Sequence, residues 1–426
     1  MDFYASLTPY YPEKEIQELR LAQQGKAIHS LYLNNKVNKE TLLSLYPHLK
    51  PHPFIENAFY YDEEEYPLGK SMLFNLGAFY IMNAASMLPP YFLSPQKGER
   101  ILDMCAAPGG KTSVLSLLLG NNGTILSNDI SYPRSKENSG NVERLGLGNV
   151  VVTSGDFVGI EDNYEDYFDA ILLDAPCSGS AMFRKDRRLF DDWTYEKVLK
   201  TQSIQKSLLE SAAKMLVSGG RIMYSTCSFS YEEDEEIILS FLKRHEDFEA
   251  VFLPDDPSFY HHPDLPQGIH LFPHRYAGEG QFLCLLRHKG DKVAHKQEKI
   301  HQLPKTLQKP AFEYGLEGYD YLSHQDSAYA LPEAMKTPKL SLLRYGVRIG
   351  EEKTPFQPDH ALASFAKASI PLEKENALRY LAGETFPLQG EDGYAVVSYL
   401  GIPLGYVKLV KGTAKNHYPK GLRRRY

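Results

Sequence analysis

Cysteine is scarce in this chain, with four residues in 426. So few thiols in so long a sequence do not make a disulfide framework. They fit a reducing compartment, where individual thiols can be reactive. No apolar run approaches the roughly 20 residues a membrane span needs; VLSLLLG (Val114 to Gly120) is far too short. The opening MDFYASLTPYYPEKEI lacks a basic stretch followed by an apolar one, so no secretory signal is visible. Positive charge is not in excess either. The net charge is −7, so nucleic acid, if bound, must be held by local basic patches. What is present is an ordinary globular mix, 42% hydrophobic and 24% charged, which excludes wholesale disorder. The length suggests two or three domains, and the expectation is a soluble, cytoplasmic, multidomain protein.

The first 70 or so residues are rich in Tyr, Pro and Glu, with a helical stretch EKEIQELRLAQQG and a solvated turn at DEEEY (Asp62 to Tyr66). They read as a small N-terminal domain, 1–70. From about residue 97 the texture changes. GERILDM, TILSND, VVVTSGD, DAILLDAP and GRIMYSTC are short apolar runs that end in small or acidic residues. Between them lie KTSVLSLLLG, RSKENSGNVERLG and YEKVLKTQSIQKSLLESAAKML, which read as helices. Strands alternating with helices indicate a parallel, doubly wound sheet, closing with QFLCLLRH and giving an α/β unit over 71–289. The Lys- and His-rich stretch that follows reads as a basic linker with a first C-terminal segment, 290–345. The remainder, 346–426, contains a hairpin candidate, GYAVVSYL and LGYVKLV around Gly401-Ile402-Pro403, and an acid-free tail that includes Arg423, Arg424 and Arg425.

Ligands of open α/β sheets sit beyond the carboxyl ends of the strands. DMCAAPGGKT (Asp103 to Thr112) occupies the first such end. Its small residues permit a tight turn and close approach, and Pro108-Gly109-Gly110 precedes a helix N-terminus. The spacing of a phosphate-binding G-x-x-x-x-G-K-[ST] loop is not met. Acids end the next strands: Asp129 the second, Asp156 the third and Asp174 the fourth. The second is placed for a ribose diol, the third for an adenine amino group. Each alone is more often a helix cap; three in register point to an adenosyl cofactor.

Cys177, in DAPCSG, follows the fourth strand, and Cys227, in YSTCS, follows the fifth. Neighbouring parallel strands are about 4.8 Å apart, so the two thiols can meet at one pocket. Cys105 and Cys284 lie in apolar strand sequence and read as buried small hydrophobes. A thiolate suits one chemistry well. Carbon 5 of cytosine is a poor nucleophile until a thiolate adds at carbon 6 and makes it an enamine that can accept a methyl group from a sulfonium.

CAAPGGKT, DAPCSGSAMFRKD and YSTCSFSYEEDE, in this order, resemble the Nol/Nop/Sun family of RNA (cytosine-5) methyltransferases, over about Gly77 to His288. The resemblance implies a Rossmann-like core that binds S-adenosylmethionine through Cys105, Ala106, Ala107, Pro108, Gly109, Gly110, Lys111, Asp129, Asp156 and Asp174. It implies Cys227 as nucleophile and Cys177 as the residue that helps release product, with Asp174 also near the cytosine edge. Lys111 and Lys185 are candidates for orienting the substrate. Where relatives often carry Tyr-Ile-Gln-Glu, this chain has Tyr80-Ile81-Met82-Asn83. Ser230 with Glu233 reads as a capping box, and the acidic run Glu232 to Glu236 as a helix start, not a metal site.

The C-terminal region resembles the extension of the RsmF-like branch of that family, a small β-rich, PUA-like RNA-binding fold, with Arg423 and Arg424 as candidate phosphate contacts. The expected activity is cytosine-5 methylation of RNA, ribosomal RNA before transfer RNA. The N-terminal domain, 1–70, is expected to bind RNA or position the substrate; no membrane and no obligate protein partner are inferred. A DNA-type enzyme would use Cys177 as nucleophile and leave Cys227 idle. A non-catalytic RNA-binding assembly factor would have no need of both cysteines and every strand-end acid.

Overall fold

The computed structural model describes residues 2–120, 122–304, 307–308, 313–324, 327–351 and 357–424. Five apolar segments form parallel strands, first to fifth in chain order: Glu99–Asp103, Gly123–Asp129, Val150–Ser154, Phe168–Asp174 and Leu216–Thr226. They lie almost wholly buried, as a parallel sheet covered on both faces requires, and this is why they read as continuous Val, Ile and Leu runs. The helices Gly110–Leu119, Tyr132–Leu145 and Tyr195–Met215 supply crossovers. Across the sheet the order is third, second, first, fourth, fifth. Phe282–His288 then runs antiparallel to the fifth, with Leu265–His270 beyond it. The order reverses between the first and fourth strands, so the ligand crevice opens at their carboxyl ends.

The N-terminal region is split between two neighbours. Its antiparallel sheet joins Lys50–Pro51, Ala58–Tyr61, His29–Leu33 and Phe79–Ile81. The last of these lies past the expected boundary at 70, because Leu31 pairs with Ile81. The helices Phe3–Leu7 and Glu13–Ala22 pack instead on the catalytic unit. The Phe3 ring meets Phe183 and Trp193 edge-on at 5.0 and 5.3 Å. The Glu15 carboxylate accepts from Arg275 and His274, and the Arg275 hydrogen bond draws it down to about 2.

The stretch expected as a linker is pinned. His295 bridges Asp169 (2.6 Å) and Glu333 (2.7 Å), the fully buried Arg100 bonds Glu333 at 2.7 Å, and Lys292 reaches Glu99 at 3.0 Å. Asp169 and Glu99 are buried near the start of the parallel strands, so basic residues that composition assigns to solvent serve as their counter-charges. Ser341–Tyr345, also expected to precede the folded C-terminal region, joins the large sheet antiparallel to the third strand. At Gly346 (φ +60°) the chain crosses to another sheet; a Cβ there would stand 2.2 Å from the Ala330 carbonyl oxygen. That four-stranded sheet comprises Asp320–His324, Ser327–Leu331, Val347–Glu351 and Gln357–Pro358. The chain past 346 therefore begins in this sheet, and the five-stranded C-terminal sheet starts only at Ile370–Pro371.

Within that last sheet, Gly393–Tyr399 and Ile402–Val410 form the expected hairpin. Tyr399 pairs with Ile402, so the turn is Leu400-Gly401 and not Gly401 to Pro403. Both turn residues have positive φ, +51° and +79°, the two-residue geometry that matches strand twist. The basic tail continues as a strand, Thr413–Asn416, and a short helical turn, Lys420–Leu422, with Arg424 its last described residue. Arg425 lies outside the described residues.

Candidate active site

The loop after the first strand is shaped by what its small residues permit. Gly109 has φ +100°, and a Cβ there would meet the Asn138 side-chain oxygen at 2.3 Å. The turn opens the helix Gly110–Leu119 and brings Ala107 N–H to Asp129 Oδ2 at 3.2 Å. Asp129, buried, also accepts from Ser131 N–H at 2.9 Å, with the Arg134 guanidinium 3.5 Å away. Beside it lies a cavity of about 550 Å³ lined by Cys105, Ala107, Asp129, Asp156, Asp174, Cys177 and Cys227 among others. Ala106, Pro108, Gly109, Gly110 and Lys111, of the same loop, are not among its lining residues. Asp156 is exposed and accepts from Val158 N–H at 3.0 Å.

The donor set fits an adenosyl sulfonium. Three carboxylates face a cavity of cofactor size, an arrangement that attracts a cationic sulfonium and ammonium and repels a pyrophosphate. Ile130, Val158 and Ile204 line the same space with apolar side chains 70%, 43% and 42% exposed, a surface suited to a flat base. Sequence reading missed these three; an exposed Ile directly after a strand-end Asp was the available signal. Cys105 is half-buried on the wall and not in the core, and burial pushes its thiol up. Cys284 is fully buried in its strand.

The two loop cysteines meet. Cys177 Sγ lies 3.1 Å from Cys227 Sγ, both partly exposed to the cavity. The register explains it: Asp174 pairs with Ser225 across the fourth and fifth strands, and each cysteine follows within three residues. The hydrogen bond to Cys227, and then burial, hold the Cys177 thiol well above the ordinary cysteine range. Asp174 accepts from Lys111 Nζ at 2.6 Å, Ser225 Oγ at 2.7 Å and Gln281 Nε2 at 3.0 Å, which fixes it at the cavity floor.

Ser230 and Glu233 do not form the expected capping box. The helix begins at Glu235, and Ser230 Oγ makes no hydrogen bond among the described residues. Glu233 is fully buried and turned toward the cysteine loops. It accepts from Ser178 N–H (2.8 Å), Ser178 Oγ (2.5 Å), Ser228 Oγ (2.5 Å), Thr201 Oγ1 (2.5 Å) and Gln205 Nε2 (3.3 Å). One carboxylate thus ties the residue after Cys177, the residue after Cys227 and the helix Tyr195–Met215 together. Four polar partners outcompete one helix-end N–H. The next residues bind elsewhere: Asp234 accepts from Thr226 Oγ1 at 2.5 Å, and Glu235 bonds His270 at 2.6 Å.

Other expected residues lie apart. Lys185 is exposed and outside the cavity lining, and Arg424 lines a different cavity. Arg423 is held near the Tyr418 carbonyl at 3.4 Å. Asn83 orders the neighbouring loop by accepting from Glu279 N–H at 2.9 Å.

Two family models match the chain: 16S rRNA methyltransferase RsmB/F over residues 90–287 and the methyltransferase RsmF PUA domain over 367–424. Ribosomal RNA small subunit methyltransferase F of Vibrio cholerae serotype O1 (strain M66-2) is 31% identical, with 88% of this chain and 85% of the relative covered. The enzyme of that name from Klebsiella pneumoniae (strain 342) is 31% identical over 98% of each chain. A methyltransferase homolog protein from Pyrococcus horikoshii superposes with a TM-score of 0.59 at 29% identity, covering 67% of this chain and 93% of that one. With these matches spanning the catalytic sheet and the C-terminal sheet alike, the chain belongs to the RsmB/F family of 16S rRNA methyltransferases.

Proposed function

We propose that this protein methylates carbon 5 of a cytosine in small-subunit ribosomal RNA, with S-adenosylmethionine as methyl donor and Cys227 as nucleophile. The observation that carries the mechanism is the 3.1 Å approach of Cys177 and Cys227 at the mouth of a carboxylate-lined cavity. When bound, the cofactor supplies an electrophilic methyl on sulfur. Asp129 and Asp156 hold its adenosyl part, while Asp174, braced by Lys111, faces the base edge. Cys227 Sγ, as the thiolate, adds to ring carbon 6 and moves an electron pair to carbon 5, which takes the methyl as the sulfonium's carbon–sulfur bond breaks and leaves its pair on that sulfur. The carbon-5 proton then passes to water, the Sγ–carbon bond breaks, and the aromatic ring and the thiolate are restored. Cys177, still protonated, stands beside the departing sulfur. No helix among the described residues is long and apolar enough to cross a membrane, and the cytoplasm is the proposed site of action.

The test uses each single cysteine variant with small-subunit rRNA transcript and S-adenosylmethionine, then denaturing electrophoresis. Cys177→Ala should add, methylate and stall, leaving a covalent protein–RNA band. Cys227→Ala and the double variant should leave none, and Cys227→Ala should keep less than about 1% of activity. A band from Cys227→Ala reverses the roles. Loss of activity in both with no band from either refutes the division of labour. Parallel reactions with transfer RNA decide the substrate class.

A further inference from the structure

A second cavity, of about 580 Å³, lies where the N-terminal sheet, the catalytic unit and the C-terminal half meet. Lys36 and Gly77 line it from the first, Asn141 and Arg144 from the second, His360 and Arg424 from the third. Two of these are cations that no carboxylate pairs with among the described residues. Lys36 Nζ donates to the Gly146 carbonyl at 3.1 Å and sits 5.3 Å above the Phe365 ring; desolvation pushes its ammonium down to about 8. The Arg144 guanidinium donates to the Phe74 and Phe79 carbonyls at 2.6 and 3.2 Å and stacks on Phe74 at 4.2 Å.

Among the described residues no carboxylate pairs with either cation. Glu143 also lines the cavity but is bonded to Arg344, and Glu137 is exposed at its edge. His360 adds a buried Nδ1 without a hydrogen-bond partner. Arg424, exposed, brings a third positive charge. Enclosed charge without a counter-ion is costly, and packed side chains would normally remove it. Here there is open space in front of it.

We propose that this cavity binds a backbone phosphate of the substrate RNA, with Lys36, Arg144 and Arg424 as its counter-charges. The proposal rests on the RNA methyltransferase function above. The helix Tyr132–Leu145 links the two sites: Arg134 lies at the cofactor cavity and Arg144 at this one. Ten residues at 1.5 Å of rise separate them by roughly 15 Å, within reach of one bound RNA segment. A phosphate contact here would set the register of the strand that presents the cytosine and carry no sequence preference of its own.

The decisive variant is Lys36→Gln, which keeps a donor for the Gly146 carbonyl and removes the charge. With small-subunit rRNA transcript, filter binding should show about tenfold weaker affinity, and the slope of log K against log salt should shrink by about 0.7–0.9. Arg424→Gln should shrink the slope likewise. The free Lys36→Gln protein should melt at or above the wild-type temperature and bind S-adenosylmethionine unchanged, because the lost charge served a ligand and not the fold. An unchanged salt slope overturns the proposal, whether the variant melts lower, as a structural lysine would, or not. If inorganic phosphate raises the wild-type melting temperature above that in chloride while the RNA slope stays the same in both proteins, the cavity takes a free anion and the RNA assignment falls. If wild type neither binds nor methylates any RNA, the function itself fails, and this site with it.

Discussion

Replacing Glu233 should open both cysteine loops at once. Its buried carboxylate holds four donors at 2.5–2.8 Å. Hydrogen bonds to a charged group contribute about 1.5–3 kcal/mol each, and they are not additive here. The three hydroxyls can turn to new partners; Ser178 Oγ already lies 3.2 Å from Ser228 Oγ. The Ser178 N–H cannot turn, and in Glu233→Ala it faces a void. The expected cost is about 3–5 kcal/mol: about 1–3 kcal/mol for the orphaned amide, plus the charged bonds the hydroxyls do not recover. Exchange of the Ser178 amide with deuterium should accelerate roughly 10²–10³-fold as local opening becomes easier. Glu233→Gln keeps one acceptor oxygen and the side-chain shape, so it should cost about 1–2 kcal/mol and fold. Its single-turnover methyl transfer should nevertheless fall, with cofactor affinity intact, because the two sulfurs are no longer held in register. Wild-type exchange at Ser178 in the alanine variant would refute the hub. A wild-type single-turnover rate in the glutamine variant would confine Glu233 to stability.

Two further outcomes test the cofactor site and the pinned segment. Asp129→Ala should weaken S-adenosylmethionine binding about tenfold or more by calorimetry, from roughly 1–3 kcal/mol of lost acceptor bonds; unchanged affinity places the ribose elsewhere. His295, bonded to Asp169 and Glu333, is raised to about 9 by those bonds. Its stabilisation is therefore complete below the ordinary histidine value near 6.5 and is lost as pH rises through about 9, an effect of about 3.4 kcal/mol that solvent screening reduces to about 2 kcal/mol. Proteolysis between Lys289 and Lys299 in wild type, taken relative to His295→Gln at each pH, should be slow at pH 6 and approach the variant's rate above about pH 9. A constant ratio would remove His295 as the pin.

The strand–helix alternation was legible because a sheet covered on both faces demands apolar runs, and each run ended in small or acidic residues at the crevice. The positions of the glycine-rich loop and of the two cysteines were legible for the same reason, since they sit at strand ends. Glu233 was not. A Ser followed three residues later by Glu before a helix satisfies a local capping rule, and nothing nearby in sequence announces donors at 178, 201 and 205. His295 and Lys292 were misread on the same principle. Composition counts them as solvent charges, while Asp169 and Glu99, more than a hundred residues upstream, need them as partners. The N-terminal helices likewise hid their destination, because an amphipathic stripe names no partner: Phe3 and Tyr11 complete the core behind Ala181 and Phe229.

The division of labour between the cysteines follows from the same neighbourhood. Two thiols 3.1 Å apart cannot both ionise readily, since the second negative charge would face the first. The surroundings decide which keeps its proton. At Cys177 the charges of Glu233 and Asp174 add to the hydrogen bond and burial that hold its thiol up. On the proposed mechanism that proton is useful: a Cys177 S–H directed at Cys227 Sγ stabilises negative charge on the attacking sulfur before addition and again after release. Removing Cys177 then leaves the thiolate less comfortable than the thioether to cytosine, so the equilibrium of the last step shifts toward the adduct as its rate falls. That shift is why an inactive enzyme that captures its RNA is the expected behaviour of Cys177→Ala, and a folded enzyme that only slows is not.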